Sequence, residues 1–293
     1  MNSGIEAAAV LGCGLMGSGI AQTAAVAGYQ TVVRDTADEF LTKGRTSIER
    51  SLAKLVEKGT LPTADRDAAL SRLSFTTDLT AVGDADIVIE AVTEDLELKN
   101  GLWRELDARC PADTIFASNT SSLTIGSMAA ATSRPDRVVG LHFFNPVPLM
   151  PLVEVVRGLA TSQQTFDRAM AFARSLGKQP VASRDTSGFL VNRLLVPYLL
   201  DAVRALESGT GSVADLDTAM RLGCGHPMGP FTLLDFVGLD TVVRIADIMF
   251  EEYREPRFAP PPLLRRMVTA GRHGRKNGKG FYDYAVDPPA PAV

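Results

Sequence analysis

His142 and Glu154 have the residue types and the setting for proton transfer, since they are a base and an acid in an otherwise apolar stretch. Residues 138–156 read VVGLHFFNPVPLMPLVEVV, and the polar side chains among them are His142, Asn145 and Glu154. Burial raises the free energy of the charged form of either group, so each needs a partner, and each can serve the other. A carboxylate that accepts Nδ1–H fixes the imidazole tautomer and leaves the basic lone pair at Nε2, the arrangement general-base catalysis requires. The alternative is a core histidine satisfied by backbone, with Glu154 at a strand edge. For the two to meet, residues 138–142 and 152–156 must be strands joined by a turn. Pro146, Pro148 and Pro151 between them cannot continue a helix or donate to a central ladder, and so favour that turn.

A second group of residues suits a phosphate-bearing ligand. An apolar run over residues 7–11 ends in Gly12-Cys13-Gly14-Leu15-Met16-Gly17, after which Ile20, Ala21, Ala24, Ala25 and Ala27 recur at helical spacing. Gly28 stops that helix, and residues 31–33 form a β-prone run ending at Arg34 and Asp35. The unit reads as βαβ with a dinucleotide fingerprint. Gly12 makes the tight turn, Gly14 lets the pyrophosphate approach, and Gly17 lets helix pack on strand. The pyrophosphate would rest on the helix N-terminus. Asp35 is placed for the ribose hydroxyls, which favours NAD over NADP because a 2′-phosphate would be repelled. Arg34 beside it leaves NADP open as the less favoured cofactor.

The elements that must hold these groups follow from periodicity. Over residues 40–58, Leu41, Ile48, Leu52 and Leu55 alternate with a polar stripe of Ser47, Ser51, Lys54 and Lys58 at helical intervals. The stripe is either a solvated face or a hold on a phosphorylated or nucleotide-bearing substrate. Strands over residues 87–91, 114–118 and 178–183, with a helix over 97–110, imply a parallel sheet whose ligands sit beyond the carboxyl ends of its strands. Glu94, Asn119 and Ser121 all follow strand ends, although residues 119–122 also suit a capped turn into a helix. From Asp185 the pattern turns helical, with helices over residues 189–207, 213–222, 231–253 and 262–269 and a frayed end over 288–293. The fold class is therefore α/β, with an N-terminal Rossmann-type dinucleotide-binding domain over residues 1–184 and a C-terminal all-helical domain over 185–293.

Composition narrows the classes further. Of 293 residues, 45% are hydrophobic and 22% charged, which suits a globular protein and excludes a disordered one. A net charge of −4 supplies no general field for nucleic acid. Three cysteines lack metal-like spacing and leave an odd thiol, so no metal site is expected and a reducing cytoplasm is. No cationic segment precedes an apolar one at the start, so no secretion signal is expected. Three prolines and three polar groups in the stretch at 138–156 argue against a membrane span.

The chain resembles the 3-hydroxyacyl-CoA dehydrogenases, including the bacterial 3-hydroxybutyryl-CoA dehydrogenases. The resemblance runs nearly end to end through GCGLMG, SNTSSL from Ser118, GLHFFNPVPLMPLVEV from Gly140, DTSGFLVNRLLVPYL from Asp185, HPMGPFTLLDFVGLD from His226 and GFYDY ending at Tyr284. It implies reversible NAD-dependent oxidation of a short- or medium-chain (S)-3-hydroxyacyl-CoA to the 3-oxoacyl-CoA. By that resemblance His142 is the base and Glu154 its orienting carboxylate, while Ser121 and Asn192 hydrogen-bond the reacting oxygens of the acyl-CoA. Gly12, Gly14, Leu15, Met16, Gly17, Asp35, Glu94, Lys99, Asn145 and Lys276 fall near the cofactor. Ser51, Lys58, Lys99 and Ser121 fall on the coenzyme A substrate. The helical domain is implied to carry a homodimer interface and to close with the first domain over the substrate. Two alternatives stand beside it: a dehydrogenase of a free hydroxy acid or sugar acid on the same fold, and a non-catalytic NAD-binding protein.

Overall fold

The computed structural model describes residues 3–293 and divides the chain after Thr186 into two units, each with its own core. In the first unit the strands are β1 (Ala7–Leu11), β2 (Gln30–Arg34), β3 (Leu73–Thr76), β4 (Ile87–Glu90), β5 (Ile115–Ser118), β6 (Val138–Phe143), β7 (Leu152–Arg157) and β8 (Gln179–Arg184). The helices between them are α1 (Leu15–Val26), α2 (Asp38–Glu57), α3 (Thr63–Ser71), α4 (Leu96–Asp107), α5 (Ile125–Ala129) and α6 (Gln163–Ser175). They build one eight-stranded sheet in the order β3-β2-β1-β4-β5-β6-β7-β8. Strands β1 to β6 pair in parallel, whereas β7 runs antiparallel to β6 and carries β8 with it. The sheet is therefore mixed rather than wholly parallel, because the proline-containing connection reverses the chain without a crossover helix. Strand order turns about at β1 and β4, and the carboxyl ends there are where an open α/β sheet binds its ligands.

The apolar strands are buried on both faces, and α1 lies close against them because its inner positions, Ile20, Ala21, Ala24 and Ala25, are mostly small. Closeness is set at the turn before it. Gly12 has φ +94°, and a Cβ at Gly17 would stand 1.8 Å from the Gly12 carbonyl oxygen. Gly17→Ala is therefore expected to lower stability by about 1–3 kcal/mol through overpacking. A thermal melt matching that of the unmodified chain would show that the turn yields to a methyl group.

The second unit holds α7 (Val191–Glu207), α8 (Val213–Cys224), α9 (Pro230–Val237), α10 (Leu239–Tyr253) and α11 (Pro262–Thr269), with a short antiparallel ribbon of β9 (Tyr282–Asp283) and β10 (Ala290–Pro291). The single helix expected over residues 231–253 is broken at Gly238, whose φ of +100° no helix accommodates. The first helix begins at Val191 rather than at Phe189, which has φ +48°. The end expected to fray instead pairs through β10. Two buried aspartates tie this unit together. Asp217 accepts the Phe231 and Thr232 N–H groups at 2.7 and 3.0 Å and so caps α9. Asp235 accepts the Phe281 and Tyr282 N–H groups at 2.9 Å each and anchors the terminal segment. Burial raises the Asp235 carboxyl above its ordinary pKa, more than those hydrogen bonds lower it. No helix among the described residues is long and apolar enough to cross a membrane.

Candidate active site

His142 and Glu154 meet because two adjacent strands place them in register. On β6, Val139, Leu141 and Phe143 face the main core, and on β7, Val153 and Val155 do the same. Alternation sends His142 and Glu154 to the opposite face, where they are directly paired across the antiparallel ladder. His142 Nδ1 lies 2.6 Å from Glu154 Oε2, and the two side chains are 7% and 0% exposed. A carboxylate carries no proton to give, so Nδ1–H donates and the basic lone pair stands on Nε2. Phe144 packs against the imidazole with ring centroids 4.5 Å apart. The pair has the geometry of a base and its orienter.

A second polar cluster joins the ends of β4 and β5. Lys99 comes from the first turn of α4 and is 1% exposed, with Nζ at 2.6 Å from Glu90 Oε1 and 3.0 Å from Glu94 Oε2. Glu90 also accepts the Val92 N–H at 2.8 Å and the Ser118 hydroxyl at 2.6 Å. Glu94 accepts from the Thr120 hydroxyl at 2.5 Å, the Ser121 N–H at 3.2 Å and the Ser122 hydroxyl at 3.0 Å. Burial opposes ionisation of Glu94, but the Lys99 charge and these hydroxyls outweigh it and hold the carboxyl below its ordinary range. Asn119 extends the connection to the dyad, since its Oδ1 accepts the Phe143 N–H at 2.9 Å. Ser121 is thus presented from a segment fixed at both ends.

The glycine turn and Asp35 form a third part. Gly12 N–H donates to the Arg34 carbonyl at 2.8 Å, and Cys13 N–H donates to Asp35 Oδ2 at 2.6 Å. A cleft of about 640 Å³ is bordered by Gly12, Gly14 and Asp35 on one side and by Val92, Thr93 and Leu98 on the other. Nothing lies within 4 Å of a Cβ built at Gly14, and no side chain caps α1 there. The turn therefore fits a pyrophosphate approaching the helix N-terminus. Leu15 is exposed at that end and Met16 is half-buried behind it. Burial, and then the nearby Asp35 charge, push the Cys13 thiol up to about 11, so it stays protonated and is no nucleophile near neutral pH.

The remaining candidates are described by the elements that carry them. Ser51 and Lys58 both lie along α2 and at its C-cap, half-buried and exposed respectively. Asn145 is exposed at the start of the connection after β6. Asn192 sits in the first turn of α7, and Lys276 pairs with Asp240 at 2.5 Å, both in the second unit. Sequence reasoning missed Glu90, Ser118 and Thr120. The available signal for Glu90 was an acid closing an apolar strand shortly before a lysine in an amphipathic helix.

Comparison with known proteins adds a family to this geometry. A profile described as the NAD binding domain of 3-hydroxyacyl-CoA dehydrogenase matches residues 7–186, and one for the C-terminal domain matches residues 188–284. A 3-hydroxybutyryl-CoA dehydrogenase of Mycobacterium tuberculosis is 51% identical over 286 residues, covering 97% of this chain and 100% of that protein. The mitochondrial hydroxyacyl-coenzyme A dehydrogenase of Sus scrofa is 50% identical over 282 residues, covering 94% and 90%. Among solved structures, the (S)-3-hydroxybutyryl-CoA dehydrogenase of Ralstonia eutropha superposes with a TM-score of 0.93 at 42% identity, covering 96% of this chain and 99% of that one.

Proposed function

Because the chain belongs to the 3-hydroxyacyl-CoA dehydrogenase family and is an NAD-dependent oxidoreductase of that type, we propose that it interconverts a short-chain (S)-3-hydroxyacyl-CoA and its 3-oxo form with His142 as the base. The observation that carries this is the buried 2.6 Å contact between His142 Nδ1 and Glu154 Oε2. Bound NAD supplies the hydride acceptor. His142 takes the substrate hydroxyl proton at Nε2, and Glu154 stabilises the imidazolium that results. Their attraction is stronger after proton transfer than before, which is the differential stabilisation catalysis requires. Ser121, held by Glu94, hydrogen-bonds the reacting oxygen. Gly12, Gly14, Leu15, Met16, Gly17 and Asp35 would hold the dinucleotide, and Glu94, Lys99 and Asn145 would, by resemblance, lie near it. Asn192 and Lys276 take their roles, at the substrate oxygens and near the cofactor, from resemblance. The short-chain assignment draws support from relatives that act, by name, on 3-hydroxybutyryl-CoA.

The first unit is the cofactor domain in this reading, and the second serves the substrate and homodimerisation. Three free cysteines, Cys13, Cys110 and Cys224, suit a reducing cytoplasm.

The test follows NADH absorbance with acetoacetyl-CoA and, in parallel, free acetoacetate, and repeats the active case with NADPH. Rapid oxidation of NADH with the thioester alone is expected. Activity on neither compound despite tight NADH binding would overturn the reading, and activity on free acetoacetate would transfer it to a hydroxy acid. Ser51→Ala and Lys58→Ala should each raise KM for the thioester roughly two- to fivefold, as an exposed ionic or polar contact does.

Glu154→Gln separates catalysis from architecture. It keeps the shape of the side chain but removes the counter-charge of the imidazolium, so turnover should fall by about 10² or more with a displaced pH–rate profile. A profile identical to that of the unmodified enzyme would leave Glu154 a structural residue only.

A further inference from the structure

Behind one wall of the cleft lies a buried charge that is only half balanced. Ala91, Val92 and Thr93 line the cleft just after β4. Directly behind them Glu90 Oε1 accepts the Val92 N–H at 2.8 Å and the Lys99 ammonium at 2.6 Å, and Oε2 accepts the Ser118 hydroxyl at 2.6 Å. Both oxygens only accept, as those of an ionised carboxylate do. Lys99 is shared with Glu94 at 3.0 Å, and no other cation among the described residues forms an ion pair with either carboxylate. Two carboxylates therefore face one ammonium. Glu90 and Lys99 are 0% and 1% exposed, so water screens the excess negative charge far less than it screens the exposed Asp95 and Glu97.

We propose that Glu90, which is too deeply buried to touch a ligand in the cleft, uses its charge to shift the cleft's relative affinity toward the oxidised dinucleotide and away from the reduced one. The inference rests on the cofactor reading above. In that reading the adenosine end lies at Asp35 and the pyrophosphate on the start of α1, so the nicotinamide passes Ala91, Val92 and Thr93 toward the ends of β4 and β5. The oxidised ring carries a positive charge and the reduced ring carries none. The rest of the two nucleotides is the same, so a fixed charge in the wall acts on the difference between them. Excess negative charge favours the ring cation and thereby lowers the potential of the bound couple. Bound NADH becomes the stronger hydride donor, which favours reduction of the 3-oxo thioester over the reverse reaction.

The experiment is calorimetric titration of the full chain with oxidised NAD and with NADH. Binding of both by the unmodified chain establishes the cofactor site, and binding of neither would fail that reading and this inference with it. Glu90→Gln keeps the shape of the side chain, leaves an amide oxygen for Lys99 and Val92 and an amide N–H for the Ser118 hydroxyl, and removes the excess charge. It should weaken oxidised NAD about five- to tenfold and leave NADH within about twofold. Ser118→Ala disturbs the same carboxylate but keeps its charge, so the ratio of the two dissociation constants should stay as it was. An unchanged ratio in Glu90→Gln, equal weakening of both nucleotides, or the same shift in Ser118→Ala overturns the proposal. Should Glu90→Gln fail to fold, Glu94→Gln decides, because it removes the same charge from a side chain that is already 19% exposed. It too should weaken oxidised NAD more than NADH, and equal losses would refute the role of the charge.

Discussion

Replacing His142 by Gln is expected to cut turnover by about 10² to 10⁴ while leaving NADH affinity nearly unchanged. That loss corresponds to roughly 3–5 kcal/mol of transition-state stabilisation. The substitution is chosen because a Gln amide can still donate to Glu154 Oε2, which His142 now meets at 2.6 Å. The buried carboxylate therefore keeps a partner, and what disappears is the proton acceptor at Nε2. The measurements are kcat and KM with acetoacetyl-CoA alongside a fluorescence titration with NADH. Turnover within a few-fold of the unmodified enzyme would remove His142 from its role. Loss of both turnover and nucleotide binding would point to misfolding, and a matching thermal melt would exclude that.

Lys99→Met should cost about 3–5 kcal/mol of stability, the usual penalty for removing one partner of a buried ion pair. Lys99 is the cation between Glu90 and Glu94, and all three are largely withdrawn from water. Without it the two carboxylates keep only backbone and hydroxyl donors. The sign of the pH dependence follows from Glu94. Its carboxyl lies below the ordinary value in the folded chain, so its contribution is fully present above that value and is lost as pH falls through the folded one. In the variant burial acts on Glu94 without the ammonium, and protonation relieves the unpaired charge. The gap in melting temperature should thus be widest near neutral pH, on the order of 10 °C, and should narrow toward about pH 4. Equal melting at pH 7 would show that the lysine contributes nothing there.

What the sequence discloses depends on how local the cause is. The glycine turn and the strands on either side of its helix depend on adjacent residues, and all are found at the expected positions. The antiparallel pairing of residues 138–142 with 152–156 is also legible, because three prolines leave the connection little choice but to turn. Less legible are α3 and β3, the sheet's edge strand, since Leu73–Thr76 is short and only half-buried and lacks the apolar run that marks central strands. The break at Gly238 is hidden because apolar residues keep helical spacing on both sides of it. Glu90 is hidden for a different reason. Its partners Lys99 and Ser118 come from other elements, and periodicity gives no hint that a strand-terminal acid is buried. The terminal ribbon likewise depends on Asp235, far away in sequence.

The direct opposition of His142 and Glu154 across β6 and β7 makes the proposed acid–base pair a property of sheet register, not of a loop. A slip of one residue in β6 against β7 would turn the β6 side chains to the other face and put Leu141 or Phe143 where the imidazole now stands. Such a pair has no graded intermediate: it is either assembled or absent. The chemistry is consequently hard to tune by small backbone adjustments and robust to changes in the surrounding connections. Changes meant to redirect this enzyme toward other acyl groups are therefore best kept off these two strands.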